Sequence, residues 1–341
     1  MNPVKEGDLP LVSICIPTYN RAAMVGDAIR SALSQTYPAI EVVVVDNASS
    51  DGAAEVVASL ADPRLRFIRN DQNLGLFGNF NRCIELAKGS LIHILHSDDM
   101  IPPEFTRTCV GMFLAHPEVA MTFTRTAGEG SGGIHPGSAG EDRVFRPPEG
   151  FRAILLYRGL VACPSVMVRK EVYAEIGPFA TEYPYSSDLY QWLRLSRQHA
   201  IALVGGTHVT YRQGTHTESY RLLFESPQGY QDTAGILARV IGELGDERDR
   251  FTPDLNIALT RFVWDCLYAM CTRGRQMTGF RPSFLAGIAR DGCALIRPRV
   301  LPEKIRKALL RVAIRLSPFA CSIPGLGRVI LAFQGKGEIN Y

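Results

Sequence analysis

Two adjacent carboxylates follow a short apolar run in the first third of the chain. The run covers residues 91–95 and stops at His96-Ser97-Asp98-Asp99. A nearly continuous apolar run of this length is typical of a strand that is buried on both faces. Paired carboxylates suit a divalent cation such as Mn2+ or Mg2+, and that cation in turn suits a diphosphate. The alternative is that Ser97, Asp98 and Asp99 only turn the chain, because all three residue types favour turns and caps.

Two earlier apolar runs end in polar residues in the same way. Residues 11–17 end in the sequence PTYN, and residues 40–45 end in DNASSDG. Helical patterns alternate with these runs, which predicts a parallel sheet with helices on both faces. Because ligands of open α/β sheets bind outside the carboxyl ends of the strands, we expect the three polar strand ends to lie in one site.

The remaining pattern predicts further α/β elements and then a helical region. Residues 188–199 predict a helix with one apolar side, and residues 202–204 and 207–211 predict the last strands. Residues 126–143 are rich in glycine and lack apolar periodicity, so they predict a loop. From residue 220 onward the pattern is mainly helical, which indicates a separate C-terminal part.

The composition limits the classes of function. The 341 residues carry a formal net charge of +3, which gives no indication of nucleic-acid binding. The eight cysteines include no CxxC pair, and we expect free thiols in a reducing cytosol. The N-terminal segment lacks the apolar core of a signal peptide, and no apolar run reaches the length of about 18 residues that a membrane span needs. These features predict a cytoplasmic protein.

A basic helical pattern lies near the C-terminus. Residues 303–317 combine an apolar stripe with a neighbouring row of Lys and Arg side chains. A basic amphipathic helix can lie in a membrane interface, where it is attracted to anionic lipid. The alternative is that the stripe packs against the rest of the protein and the basic side chains are merely solvated. Peripheral binding to the inner face of the plasma membrane is therefore one of two expectations.

Taken together, these motifs resemble a family 2 glycosyltransferase of the GT-A fold. The resemblance rests on VSICIPTYNR, EVVVVDNASSDG, NLGLFGNFNRCIELAKG, LHSDDMIPPEF, SVMVRKEVYAEIGPF and SSDLYQWLRL, in this order. It implies a Rossmann-like, mostly parallel α/β sheet flanked by helices over residues 1–216. The implied nucleotide-sugar half covers about residues 1–100 and the acceptor half about residues 101–216. Residues 217–341 are not covered by the resemblance and form the predicted helical C-terminal region.

The resemblance implies transfer of a sugar from a nucleoside diphosphate sugar to a hydroxyl of a glycan or lipid-linked acceptor, with Mn2+ or Mg2+ as cofactor. It makes Asp98 the metal ligand with Asp99 beside it, and it offers His216 as a third ligand or as a solvated loop residue. Asp46 matches an acid that accepts a hydrogen bond from the base, whereas the alternative for Asp46 and Asp51 is an Asx turn that caps the next helix. The residues implied in nucleotide-sugar binding are Pro17, Thr18, Tyr19, Arg21, Asp46, Asn47, Asp51, Asn79, Ser97 and Asp98.

The same resemblance makes Asp188 the general base. An attacking hydroxyl must lose its proton as the new bond forms, and a carboxylate within hydrogen-bond reach can accept that proton. The family's single displacement would invert the anomeric centre. The alternative role for Asp188 is a helix cap, because Ser186, Ser187 and Asp188 all stand where the helix is predicted to begin. We expect Ser187 to provide the cap and to leave Asp188 free.

Three departures from the family's pattern keep other functions open. His96 stands where many relatives have the first acid of the Asp-x-Asp signature, and Ser187 replaces a common Glu. Asn79 and Asn81 occupy a region where relatives carry an Arg. One alternative is transfer to a polyprenyl phosphate, which is already ionised and needs no base. The other is a catalytically silent scaffold that binds a nucleotide sugar.

Overall fold

The structure, a computed structural model, describes residues 9–127, 140–212 and 228–273. Two compact units are present: the first contains described residues 9–154 and 158–212, and the second contains 155–157 and 228–273. His216, most of the glycine-rich loop and residues 303–317 lie outside the described residues, so the expectations for them stay predictions. The division of residues 1–216 into a donor half and an acceptor half also stays a prediction.

Eight strands and seven helices are described before residue 212. The strands are β1 (Val12–Thr18), β2 (Ile40–Asp46), β3 (Leu65–Arg69), β4 (Leu91–Ile94), β5 (Val119–Ala127), β6 (Arg143–Phe145), β7 (Val166–Arg169) and β8 (Ala200–Thr210). The helices are α1 (Ala22–Leu33), α2 (Ala53–Ala58), α3 (Leu76–Leu86), α4 (Phe105–Ala115), α5 (Glu149–Leu156), α6 (Lys170–Ile176) and α7 (Ser187–Gln198). A 3-10 turn, Cys163–Ser165, precedes β7.

The described strands form one sheet in the order β3-β2-β1-β4-β7-β5-β8-β6. Neighbours are parallel from β3 to β4, and β8 is parallel to β5. In contrast, β7 is antiparallel to both of its neighbours, and β6 is antiparallel to β8. All strands except β6 and β7 therefore end at the same side of the sheet, which we call the carboxyl edge. The predicted mostly parallel sheet is confirmed.

Helices cover both faces of the sheet. Every residue of β1 and β2 is buried, as expected for strands that lie between two helix layers. On one face, Ile14 of β1 belongs to the same apolar cluster as Val25 and Ile29 of α1. Because side chains alternate along a strand, Cys15 points to the other face, where its thiol donates to the backbone carbonyl of Cys83 in α3 at 3.6 Å. The helices on the two faces are those that alternate with the strands along the chain.

The last strand differs from its prediction. Two short strands were expected at residues 202–204 and 207–211, whereas the structure has the single strand β8. Gly205 and Gly206 interrupt the apolar pattern but form an irregularity within β8, where the register against β5 shifts. Gly206 adopts a φ of 74°, which glycine accepts without a steric penalty. A break in an apolar pattern therefore marked a bulge and not the end of a strand.

The described part of the second unit is helical, as the sequence predicts. It contains α8 (Gln228–Glu243), a 3-10 turn (Gly245–Glu247) and α9 (Arg248–Arg273). Ile236 and Val240 of α8 and Phe251 and Leu255 of α9 are buried. Within the described residues, every helix falls short of the length and apolarity that a bilayer crossing requires.

Candidate active site

The carboxyl edge brings together polar segments from strands that are well separated in sequence. In the sheet, β3, β2, β1 and β4 are consecutive neighbours and run in the same direction. Their last residues are Arg69, Asp46, Thr18 and Ile94, respectively. The polar segments that follow β1, β2 and β4 therefore lie at the same edge, where ligands of open α/β sheets bind.

The turn after β4 holds one carboxylate in a buried and incompletely satisfied position. Asp99 is 1% exposed, and its Oδ1 accepts the backbone N–H of Arg212 at 2.9 Å. Its Oδ2 lies 3.6 Å from Nδ1 of His96 and has no hydrogen-bond partner. A buried polar atom without a hydrogen-bond partner destabilises the folded state. The unpaired Oδ2 of Asp99 therefore argues against the alternative that this turn only reverses the chain.

The side chains of this turn form a donor set for a divalent cation. His96, Asp98 and Asp99 each offer one ligand atom, and these atoms lie within 4.8 Å of one another. The pKa of Asp99 is raised to about 8, chiefly by burial and then by the negative charge of Asp98. Burial also lowers the pKa of His96, which keeps its imidazole neutral and able to act as a ligand. The residues present therefore fit the divalent metal that the sequence implies, with His96 as an additional donor.

Asp188 reaches the carboxyl edge from the second half of the first unit. One residue separates α7 from β8, so the chain reverses there and α7 begins near the edge at which β8 ends. Asp188 lies in the first turn of α7, and its Oδ1 accepts the N–H of Leu189 at 2.8 Å. Burial raises the pKa of Asp188 to about 6. A carboxylate with a pKa close to neutrality is suited to accept a proton from a substrate hydroxyl.

The expected cap by Ser187 is wrong. The N-cap residue of α7 is Ser186, and the hydroxyl of Ser187 is buried without a hydrogen-bond partner. Ser187 is the first residue of the helix, where its side chain faces the interior of the protein. Instead, one carboxylate oxygen of Asp188 accepts the backbone N–H of the next residue, Leu189, in the first turn of α7.

The thiol of Cys163 links the two carboxylate groups. Its pKa is raised by burial and, in addition, by the negative charges of Asp188 and Asp99. Since charge effects of this kind weaken with distance, both carboxylates lie in the neighbourhood of one thiol. The turn that carries Cys163 is held by buried His93, whose Nε2–H donates to the carbonyl of Pro164 at 2.9 Å. The candidate base and one carboxylate of the candidate metal site thus both raise the pKa of this thiol.

The residues predicted to bind the donor differ in accessibility. Pro17 and Thr18 are buried at the end of β1, whereas Tyr19 is 46% exposed and Arg21 is partly exposed. Ser97 is buried beside Asp98. Of this group, the ring of Tyr19 is the most open to a ligand at the carboxyl edge. The roles of these residues in donor binding stay predictions.

Asp46 and Asp51 both make the contacts expected of an Asx turn or helix cap, which is the alternative to contact with a nucleotide. Asp46 has no exposed surface, and its carboxylate accepts the backbone N–H of Ser49 at 3.2 and 3.3 Å and also the hydroxyl of Ser49. Asp51 accepts the backbone N–H groups of Ala22 at 2.7 Å and Ala53 at 3.3 Å, at the N-termini of α1 and α2. Their contacts with a nucleotide stay predictions, and for Asp46 such a contact would require the turn to open.

Asn47 and Asn79 belong to a buried amide network. The Oδ1 of Asn47 accepts from the side chain of Asn70 at 3.1 Å and from the N–H of Leu74 at 2.9 Å. Asn79 accepts from Asn70 at 2.9 Å and donates to a backbone carbonyl of β2 at 3.0 Å. The network fixes residues 70–75 against the end of β2. The roles of Asn47 and Asn79 in donor binding stay predictions.

Several residues of the site carried little or no signal in the sequence. Arg69 is in register with Asp46 in the neighbouring strand, and its position at a strand end is the one local feature that could have indicated it. Arg212 and Cys163 reach the site through tertiary contacts that no local pattern shows. His96 departs from the family's pattern, yet its imidazole lies within the carboxylate cluster.

A mostly parallel sheet with a carboxylate cluster at its carboxyl edge is the arrangement of a nucleotide-sugar glycosyltransferase of the GT-A fold. The chain belongs to glycosyltransferase family 2, and residues 13–177 match the family described as "Glycosyl transferase family 2". It is 32% identical over 235 residues to uncharacterized protein MT1568 of Mycobacterium tuberculosis, covering 65% of this chain and 72% of the relative. It is 40% identical over 110 residues to succinoglycan biosynthesis protein ExoO of Rhizobium meliloti, covering 32% of each chain.

Solved structures share the fold. The structure of S. aureus TarS 1-349 in complex with UDP-GlcNAc has a TM-score of 0.66 at 18% identity, covering 97% of this chain and 93% of that one. The mannosyltransferase PcManGT from Pyrobaculum calidifontis, in complex with GDP-Man and Mn2+, has a TM-score of 0.54 at 18% identity. This second match covers 92% of this chain and 87% of PcManGT. Both similarities confirm the GT-A fold.

Proposed function

We propose that the protein is an inverting, divalent-metal-dependent glycosyltransferase that transfers a sugar from a nucleoside diphosphate sugar to a hydroxyl. The observation that carries this proposal is the cluster of His96, Asp98 and Asp99 after β4, whose ligand atoms lie within 4.8 Å of one another. Transfer to a hydroxyl needs stabilisation of the leaving diphosphate and a proton acceptor for the nucleophile, and both must act in one cleft. The cluster of His96, Asp98 and Asp99 serves the first need, and Asp188 serves the second.

The proposed roles of the residues follow from their surroundings. His96, Asp98 and Asp99 would hold the cation, which when bound neutralises charge on the leaving diphosphate. Tyr19 presents an exposed ring on which a nucleotide base can stack. Asp188, ionised above a pKa of about 6, accepts the proton of the acceptor hydroxyl while that oxygen attacks the sugar. A single displacement of this kind inverts the anomeric centre.

The acceptor that we propose is a growing glycan, free or carried on a lipid. WfaP and WfgD of Escherichia coli are named as glucosyltransferases acting from UDP-Glc on GlcNAc-diphosphoundecaprenol; they are 37% identical over 91 residues and 25% identical over 194 residues. WcaA of the same species is named for colanic acid biosynthesis and is 37% identical over 115 residues. The chain spans 36%, 73% and 40% of these relatives, so their names support polysaccharide biosynthesis as a class and leave the acceptor a proposal.

A peripheral position at the inner face of the membrane fits a lipid-linked acceptor. Residues 303–317 supply the basic amphipathic pattern for such binding, although they lie outside the described residues. Flotation with anionic liposomes should show an association that weakens as salt is added, because attraction between basic side chains and lipid headgroups is screened. Absence of binding at low salt would exclude this position.

Thermal-shift measurements test donor and metal binding together. UDP, GDP and dTDP are added to the wild-type protein with and without Mn2+. At a concentration of about 100 Kd, a ligand stabilises the folded state by about 2.7 kcal/mol, which raises Tm by several degrees. We expect Mn2+ to increase the shift for at least one nucleotide, and we expect Asp98→Asn to abolish this increase. Glu85→Gln is the matched control, since Glu85 is an exposed acid near the end of α3.

The outcomes separate the proposed function from its alternatives. No shift with any of the three nucleotides would contradict a nucleotide-sugar glycosyltransferase that uses one of them. Binding without release of nucleotide from any sugar donor and acceptor preparation would favour the silent scaffold. Full activity of Asp188→Asn would favour a polyprenyl phosphate acceptor, because that acceptor is already ionised and needs no base.

A further inference from the structure

The turn after β2 is organised by Asp46. The carboxylate of Asp46 has no exposed surface and accepts both the backbone N–H and the hydroxyl of Ser49. Ser49 is itself 3% exposed. A buried carboxylate that accepts from two donors of one residue fixes the position of that residue. Asp46 therefore determines where the hydroxyl of Ser49 lies.

Ser49 in turn fixes the loop after β1. Its Oγ accepts the backbone N–H of Asn20 at 2.9 Å, and the N–H of Ser50 donates to Oδ1 of Asn20 at 2.9 Å. Asn20 has a φ of 51°, in the left-handed region that residues other than glycine adopt rarely. These two hydrogen bonds stabilise that conformation. Tyr19, the exposed aromatic residue at the carboxyl edge, directly precedes Asn20.

Arg69 joins the same arrangement from the end of β3. Its Nη2–H donates to the carbonyl of Ser49 at 2.7 Å, and its Nε lies 3.7 Å from Oδ2 of Asp46. The side chain of Arg69 is 51% exposed, whereas that of Asp46 has no exposed surface. The guanidinium thus compensates the buried charge from the solvent side, and it also holds the backbone of Ser49. One exposed cation thereby supports a buried carboxylate at the edge where the donor is expected.

We propose that Asp46 and Ser49, with Arg69 as counter-charge, are positioning residues that hold the Tyr19 loop in the shape that receives the nucleotide. The proposal rests on the proposed function, because it concerns the donor site of that transferase. It adds to the role that the sequence implies for Asp46, which is to accept a hydrogen bond from the base. Both carboxylate oxygens of Asp46 accept from Ser49, and each keeps a further lone pair.

Serine 49 offers the cleanest perturbation. Ser49→Ala leaves the charge of Asp46 and the backbone hydrogen bonds in place, but it removes the hydroxyl that connects Asp46 to the N–H of Asn20. Ser49→Thr restores a hydroxyl at the same position. Ser59→Ala is the matched control: Ser59 is an exposed serine at the end of α2, and its hydroxyl donates only to a local carbonyl at 2.7 Å.

Two measurements test the proposal. Hydrogen–deuterium exchange of the segment that contains residues 17–23 should become faster in Ser49→Ala, because the amide of Asn20 loses its acceptor. Calorimetric titration with UDP, GDP and dTDP in the presence of Mn2+ should show affinity about fivefold to tenfold lower in Ser49→Ala, as expected for the loss of a hydrogen bond. The factor should be the same for each nucleotide that binds, and Ser49→Thr should recover the affinity. Ser59→Ala should match the wild type, and the Tm of Ser49→Ala should stay close to it.

The results that would overturn the proposal are distinct from those that would overturn the proposed function. Unchanged exchange in Ser49→Ala would show that the hydroxyl does not hold the loop. If Ser49→Ala bound nucleotides with the affinity of the wild type, the connection from Asp46 through Ser49 to Asn20 would not contribute to donor binding. If the wild type bound none of the three nucleotides, the proposed function would fail, and the exchange measurement would still decide whether Ser49 holds the loop.

Discussion

Replacing Asp188 by asparagine removes the proposed base while nearly preserving the shape of the side chain. The amide oxygen of asparagine can still accept the N–H of Leu189, so the local contact at the start of α7 is retained. Basicity is the property that changes. General base catalysis contributes about 10²- to 10⁴-fold to a rate, and we expect the rate of sugar transfer to fall by that factor in Asp188→Asn.

The pH dependence gives a second and sharper measure of the same residue. Burial raises the pKa of Asp188 to about 6. The ionised fraction is then about one tenth at pH 5, about one half at pH 6 and about 99% at pH 8. The kcat/KM of the wild type should therefore rise about tenfold between pH 5 and pH 8. The residual activity of Asp188→Asn should lack this rise.

Stability measurements separate a lost base from a lost fold. The pKa of Asp188 in the folded protein, about 6, lies above its ordinary value of 3.8, so the folded state binds more protons between these values. The stabilisation from the protonated side chain is present below about pH 4 and is lost as the pH rises through about 6. Asparagine does not titrate. At pH 8, Asp188→Asn should therefore have a Tm equal to or above that of the wild type.

The assay is initial-rate sugar transfer across this pH range, with Tm measured in the same buffers and Glu85→Gln as the control. If Asp188→Asn is correctly folded, as active as the wild type and equally dependent on pH, Asp188 is not the base. The phosphate acceptor considered above would then explain the activity. A large loss of rate together with a lower Tm at pH 8 would contradict the structural account of Asp188, because the buried charge would then be stabilising.

Three further substitutions test the support of the site and the packing of the sheet. Arg212→Ala removes a partly exposed ion pair with α1 but keeps the backbone N–H that donates to Asp99, so it should lower the free energy of unfolding by less than about 1 kcal/mol in urea denaturation. A loss above about 2 kcal/mol would show that the guanidinium itself secures the site. Gly89→Ala would place a Cβ 2.5 Å from the carbonyl oxygen of Leu11, so it should lower the free energy of unfolding by about 2–4 kcal/mol. In Gly111→Ala, in α4, the added Cβ meets nothing within 4 Å, so this variant should raise the free energy of unfolding by up to about 1 kcal/mol. Equal midpoints for the two glycine variants would contradict the packing around Gly89.

Local patterns were sufficient for the strands that carry the site. The runs in β1, β2 and β4 are apolar because both faces of each strand are covered, and alternation with helices fixes their common direction. The segment with Asp98 and Asp99 follows β4 directly, so its position at the carboxyl edge could be predicted from these patterns alone. Buried strands of this kind are specified by residues that are adjacent in sequence.

The environment of each acid could not be predicted in the same way. Asp46 ends one buried strand and Asp99 lies in the turn after another; both have low exposure, yet they differ in their partners. Both oxygens of Asp46 accept hydrogen bonds from Ser49, whereas Oδ2 of Asp99 has no partner. This contrast depends on Arg69 and on the geometry of two turns, which are tertiary features. Position at a strand end therefore identifies candidates, and the contacts decide which candidate is available to a ligand.

The direction of β7 decides at which edge of the sheet the turn that carries Cys163 lies. Its short apolar stretch is compatible with either direction, because periodicity does not distinguish a parallel from an antiparallel strand. In the structure β7 is antiparallel to β4 and β5, so its first residue, Val166, lies at the carboxyl edge. The preceding turn, Cys163–Ser165, is thereby placed at the carboxyl edge, and His93 of β4 holds it there through Pro164. A parallel β7 would move this turn, with the thiol of Cys163, to the opposite edge of the sheet, about 13 Å away.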